Sequence, residues 1–290
     1  MITWVVPSKG KYKITAVGGQ GGCTSNGSNG GQRGGAAAKI SGTFILNSTD
    51  KLIISPGIGG GNGYYDPHGN EAGGGGASMV VVHTGKSDPF PSKPLVVAGG
   101  GGACPSWSYG GSSGRNYISQ SMAYGHSGTS TSRYYNAYIG SCNFAGISNG
   151  NGGYSRGSNQ GGAGAGYLGN GANGGSHCRA CHGGKALSGS SRGQGGQGNG
   201  CYSSTTYNMG GFGGGGGGCL GGPGAGGGWS GGHTCGQWSS YSGFGQGGSS
   251  YNAGSDQSNQ KGAGRVGLPA NYGYIAGSHG WVEIELVSSA

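Results

Sequence analysis

The residues with the sharpest chemical spacing are Cys178, Cys181 and His182, the ends of a Cys-Arg-Ala-Cys-His run. A C-x-x-C-H run is the form that attaches a c-type haem, with thioethers from both sulfurs and an axial bond from the histidine. His177, just before it, adds a further donor of the kind metal sites use. A haem needs an apolar pocket, however, and the text on either side is Asn, Gly and Ser. Disulfide formation is the competing use of these sulfurs. The chain holds eight cysteines, Cys23, Cys104, Cys142, Cys178, Cys181, Cys201, Cys219 and Cys235. An even count in a chain poor in core residues points to disulfides and an oxidising setting. Spacing alone leaves the connectivity open. The reading is that no cofactor is bound, with haem c at Cys178, Cys181 and His182 as the alternative.

Other chemistry finds less support. Gly169, Gly171 and Gly174 fit the dinucleotide pattern G-x-G-x-x-G, but no strand pattern precedes them and no helix pattern follows, so the match reflects composition. Only seven acids are present, and the one close pair, Glu283 and Glu285, falls on the solvent face of an alternating strand. General acid–base catalysis is therefore not expected, and neither is an enzyme. The formal charge of +9 raises nucleic acid as a partner. The cations are nevertheless scattered, with Lys9, Lys11 and Lys13 the one cluster and Arg33 heading a single Arg-Gly-Gly, so nucleic acid is not the expected partner. Tyr64, Tyr65, Trp107, Tyr109, Trp229 and Trp238 lie in loops or between glycine blocks. Aromatics beside adaptable Ser, Gly and Asn make good recognition surfaces, so these six are the candidate binding residues.

The elements that must position these groups follow from an uneven composition. Glycine supplies 81 of 290 residues. Leu, Ile, Val and Phe number 36, of which 20 lie in residues 1–100, 5 in 275–290 and 11 in the long stretch between. In the apolar parts the pattern has period two, as for half-buried strands. Residues 2–6 and 12–16 alternate across a Ser8-Lys9-Gly10 turn and predict a hairpin. Further strands are predicted at 38–46, 52–55, 78–83 and 95–98. In 281–286, Val282, Ile284 and Leu286 share one face. An isolated terminal strand is not stable, so this one is expected to pair with the first hundred residues. The domain reading is thus a β-sandwich from 1–100 plus 275–290, with 101–274 inserted as a glycine-rich bundle.

Helix and ordinary sheet are both disfavoured in the insertion. Glycine costs about 1 kcal/mol per helical position relative to alanine and gives a sheet no side chains to pack. Extended three-residue-per-turn segments, packed backbone against backbone, are the expected alternative to a flexible linker. Trp107, Trp229, Trp238 and seven of the eight cysteines fall in this stretch, which a linker would lack.

The order of blocks resembles a known family. Trp4-x-x-Pro7 is followed by Tyr12-x-Ile14-x-Ala16-x-Gly18-x-x-Gly21-Gly22, then by Leu52-x-Ile54-x-x-Gly57. The chain continues with Gly73 to Ser78, Pro94 to Gly102, Phe212 before a glycine run, and a closing Gly280-Trp281-Val282-Glu283-Ile284. This is similar to the extracellular glycine-rich domain of the receptor tyrosine kinases anaplastic lymphoma kinase and leukocyte tyrosine kinase, and to stand-alone glycine-rich proteins. The resemblance implies a jelly-roll sandwich of tumour-necrosis-factor type, interrupted by a bundle of polyglycine-II helices. It implies a recognition module and no catalysis.

The combined expectation is an all-β, non-enzymatic structural and recognition module, displayed outside the cell or on a cell or virion surface. Its partner would be a surface glycan or protein, or copies of itself in a fibre or coat. No apolar run is long enough to span a bilayer as a helix. Met1 leads directly into a strand pattern, so no leader peptide is read in this numbering.

Overall fold

The computed structural model describes residues 1–23, 34–63, 72–83, 93–104, 150–157, 161–175, 181–188, 191–198, 208–219, 222–236, 244–264 and 277–289. Among them the regular structure is β, with no helix beyond a single short turn at Asn208. Twelve strands run in chain order: β1 (Ile2–Val5), β2 (Gly10–Val17), β3 (Ala37–Leu46), β4 (Lys51–Ser55), β5 (Ser78–Val82), β6 (Lys93–Ala98), β7 (Ser155–Gly157), β8 (Thr234–Gly236), β9 (Phe244–Gly245), β10 (Tyr251–Asn252), β11 (Ser255–Gly264) and β12 (Trp281–Ser289). They form a five-stranded antiparallel sheet, β1-β4-β5-β6-β10, and a four-stranded antiparallel sheet, β11-β3-β2-β12. A small third sheet joins β7, β8 and β9.

The period-two pattern explains the sandwich. Tyr12, Ile14 and Ala16 of β2 and Ile40, Phe44 and Leu46 of β3 face Leu52, Val80 and Val96 of the other sheet, all of them buried. Each of the Ile, Leu, Val and Phe side chains taken fully out of water contributes about 1.5–3 kcal/mol. Glu283 and Glu285 take the opposite face of β12 and stay exposed, and Glu285 pairs in register with Lys13. The closing strand lies along β2 from Trp281 opposite Val17 to Ser289 opposite Gly10, with a register shift between Leu286 and Ser288.

Two expectations are corrected. The stretch from Ile2 to Ala16 is not a hairpin: β1 pairs with β4, and β2 lies in the other sheet. The apolar faces explain why, because Trp4 and Tyr12 enter the core from opposite sheets and meet edge to face at 6.0 Å. In a hairpin they would stand side by side on one sheet. The sandwich also takes in residues from within 101–274, since β10 extends one sheet at β6 and β11 extends the other at β3. β11 reads Ser-Asp-Gln-Ser-Asn-Gln-Lys-Gly-Ala-Gly, with no apolar alternation to reveal it. Register shifts after Ser255 and after Gln260, with positive φ at Asp256 (48°) and Gly262 (63°), accommodate this polar edge strand.

Glycine segments conversely begin inside the first hundred residues. β2 runs on into 18–22, β4 into 57–61 and β6 into 99–103, while 72–77 leads into β5. Frame and bundle are therefore built from the same chains end to end.

Candidate functional site

Hydrogen bonding in the glycine segments repeats every third residue. In residues 224–229 the N–H groups of Gly224 and Gly227 donate to Ala72 and Gly75, those of Ala225 and Gly228 to Gly162 and Ala165, and those of Gly226 and Trp229 to Gln246 and Ser249. Consecutive residues thus address three different neighbours, and residues three apart address the same one. The same segment's carbonyls accept from Gly100, Gly216 and Gly232, three further segments. Six chains around one, with a three-residue repeat, is the hydrogen-bonding pattern of packed polyglycine-II helices. The rule recurs elsewhere: Gly18 and Gly21 donate to Ala38 and Gly35, Gly19 and Gly22 to Gly76 and Gly73, and Ile58 and Gly61 to Phe212 and Met209. Every N–H group of residues 224–229 is paired in this way, as buried amides require.

Close approach is what demands glycine here. A Cβ at Gly226 would enter the van der Waals shell of the Gly100 carbonyl oxygen, and one at Gly74 that of the Ala225 carbonyl. Alanine is accepted at some bundle positions, as at Ala163, Ala165 and Ala225, all fully buried. Among the described residues two disulfides tie the bundle, Cys23 to Cys104 and Cys181 to Cys219, across 81 and 38 residues. A tight turn from Ser191 to Gln194, closed by a 3.0 Å hydrogen bond, has positive φ at both Arg192 and Gly193.

The bundle docks on the outer face of the five-stranded sheet through a second apolar cluster. Ile53, Met79, Val81 and Val97 of the sheet pack with Tyr167 and Leu187 of the bundle, and with half-buried Trp229 and Tyr251. Trp229 stacks on Tyr167 at 5.3 Å and on Tyr251 at 4.4 Å. Burial pushes the Tyr167 phenol up to about 12. Elsewhere in the bundle the His233 ring stacks on Tyr154 at 5.7 Å and its Nδ1 accepts the Tyr154 N–H at 2.9 Å. Burial, with the positive charge of Arg156 adding to it, pushes His233 down to about 4.

Of the sequence-derived binding residues, Trp229 is placed, and its ring stacks on two aromatic neighbours. The geometry gives it a packing role at the joint between bundle and sheet. Tyr64, Tyr65, Trp107, Tyr109 and Trp238 lie outside the described residues, as do Cys142, Cys178 and Cys201. Cys235 is placed in β8 through its backbone alone. Cys181 is fully buried and bonded to Cys219, so its sulfur would have to leave that bond before it could form a thioether. His182 follows it in the bundle, half-buried, its N–H donating to the Gln197 carbonyl and its carbonyl accepting from Gly217. Tyr167 and Leu187 were not among the residues singled out in the sequence, because no apolar period marks either of them.

No family model matches the chain, and no curated protein matches it significantly. Among the described residues no helix is long and apolar enough to cross a membrane, and no group of three or more His, Cys, Asp or Glu is assembled to hold a metal ion.

Proposed function

We propose that the protein is a non-enzymatic display module, in which the glycine bundle is a rigid platform and the segments joining its chains meet a surface glycan or protein. The observation that carries this reading is the three-residue hydrogen-bond repeat, which makes an oil-poor region an ordered solid. Rigid supports lower the ordering cost that a binding loop otherwise adds to recognition. Residues 105–149 follow Cys104, which a disulfide pins to Cys23. They include Trp107 and Tyr109. The disulfides Cys23–Cys104 and Cys181–Cys219 favour an oxidising compartment, hence the cell exterior or a particle surface. The order of strand and glycine blocks supports kinship with the glycine-rich receptor domains, and with it a jelly-roll frame.

The test is an array of surface glycans and extracellular proteins probed with the full chain. A variant with 105–149 replaced by a short Gly/Ser link is run alongside, and its bundle is verified by slow amide exchange. Binding that disappears in the folded variant supports the reading. Binding that persists, or an array without hits at concentrations sensitive to weak binding, overturns it.

A further inference from the structure

The two edges of the sandwich differ in how they are closed. At one end β10 and β11 meet, and Asn252 donates from Nδ2 to the Ser41 carbonyl and to Asn259 Oδ1. At the other end the four-stranded sheet stops at β12, which is tied to β5 where Gly280 meets Ser78. The five-stranded sheet continues past β5 by two more strands, β4 and β1. Core-facing side chains are correspondingly left uncovered on that side. Ile2 is 60% exposed and Leu286 46%, and Trp4, Ile54, Val282 and Ile284 are only partly buried against the core.

β12 is also an edge strand of nine residues whose second edge pairs with no described strand. Unpaired N–H and C=O groups along such an edge are a template for another strand. A strand added there would lie over β4 and β1, with one face toward Ile54, Trp4 and Ile2. Its other face would run beside the exposed carboxylates of Glu283 and Glu285. We infer that the outer edge of β12 is a docking site for an extended segment of another polypeptide in which apolar residues alternate with lysine or arginine.

The molecule already contains one strand that satisfies these demands. On the inner edge of β12, β2 sets Tyr12 opposite Leu286, Lys13 opposite Glu285, Ile14 opposite Ile284 and Thr15 opposite Glu283. Opposite charges across a ladder are favourable and like charges unfavourable, so the acidic row on β12 selects a basic alternating strand and disfavours β12 of a second copy, which would bring its own glutamates. β2 itself is locked between β3 and β12 and is not free to serve another molecule.

A labelled peptide with the sequence of residues 10–17, Gly-Lys-Tyr-Lys-Ile-Thr-Ala-Val, tests the site on the full chain by fluorescence anisotropy and amide exchange. Saturable binding that slows exchange selectively in β12 is expected. Each of Glu283→Lys and Glu285→Lys should weaken it about two- to fivefold, the worth of one cross-strand charge pair. The same peptide with both lysines changed to glutamate should bind at least about tenfold more weakly. This last comparison leaves the protein untouched and so does not depend on how the variants fold. Equal binding of the acidic peptide, protection away from β12, or no saturation at millimolar peptide would each overturn the inference. So would concentration-dependent protection of β12 without peptide, which would assign the edge to a second copy.

Discussion

The sandwich and the glycine bundle reach the same burial by opposite means. In the sandwich, side chains such as Ile14, Leu52 and Val80 fill the space between sheets, and the backbones of the two layers stay apart. In the bundle the backbones themselves are the filling, and hydrogen bonds rotate through three neighbours per turn. The first arrangement obtains its stability mainly from apolar area. The second obtains it from amide pairing and close contact, against the large conformational entropy of glycine. Tolerance to mutation should therefore invert between the two regions: the sandwich suffers when atoms are removed, the bundle when they are added.

The sharpest break is Gly226→Ala. Its Cβ would run into the Gly100 carbonyl, and neither backbone can yield without disturbing further neighbours. A loss of at least about 3 kcal/mol is expected in chemical denaturation. Gly175→Ala, where an added Cβ meets nothing within 4 Å, should stay within about 0.5 kcal/mol of the parent and is the internal control. Equal losses at the two positions would refute backbone packing as the reason for glycine.

Removing the Cys181–Cys219 bond by a double alanine substitution releases a 38-residue separation in the unfolded chain. About 4 kcal/mol is expected. The loss should appear as faster amide exchange in the bundle while β2 and β3 stay protected.

Trp229→Ala attacks the joint between the regions. Losing its stack with Tyr167 and Tyr251 should cost about 3 kcal/mol. An unchanged midpoint, combined with lost partner binding, would return Trp229 to the binding residues.

Acid should act on the same side of the comparison through His233. Its folded pKa of about 4 lies below the ordinary 6.5, so below pH 6.5 the unfolded chain takes up a proton that the folded chain refuses. This contribution is fully present above pH 6.5 and is lost as pH falls toward 4, amounting to about 3 kcal/mol over that window. His233→Gln should flatten the profile between those limits, as read by denaturation midpoints at successive pH values.

The smallest effect belongs to the sandwich core. Ile14→Val removes one methylene from a fully buried site and should cost about 1 kcal/mol, with the bundle's exchange rates unaltered. A disturbance that spread into the glycine segments would show that the two regions form one cooperative unit.

Legibility in the sequence followed side-chain periodicity. β2, β3, β4, β5 and β12 stand close to their predicted places because half-buried strands must alternate. β11 did not announce itself, since its partners are found through backbone ladders and Asn252 rather than through an apolar face. The apparent hairpin at Ser8 failed because turn spacing says nothing about which sheet a strand will join. Trp229 stood out in the sequence as a large aromatic among glycines, but its stacking partners Tyr167 and Tyr251 lie far from it in sequence and no local pattern marks them.

The sequence by itself determined that this chain would be all-β, poor in oil, and dependent on glycine for its middle. Those are properties of composition and of period, and both are local. Tertiary structure alone decided which three neighbours each glycine addresses, that Cys23 meets Cys104 and Cys181 meets Cys219, and which sheet edge, beside Glu283 and Glu285, pairs with no described strand. The physical reason is that a glycine carries no side chain to encode a partner. Its neighbours are chosen by the packing of whole segments, and that information is spread over the fold.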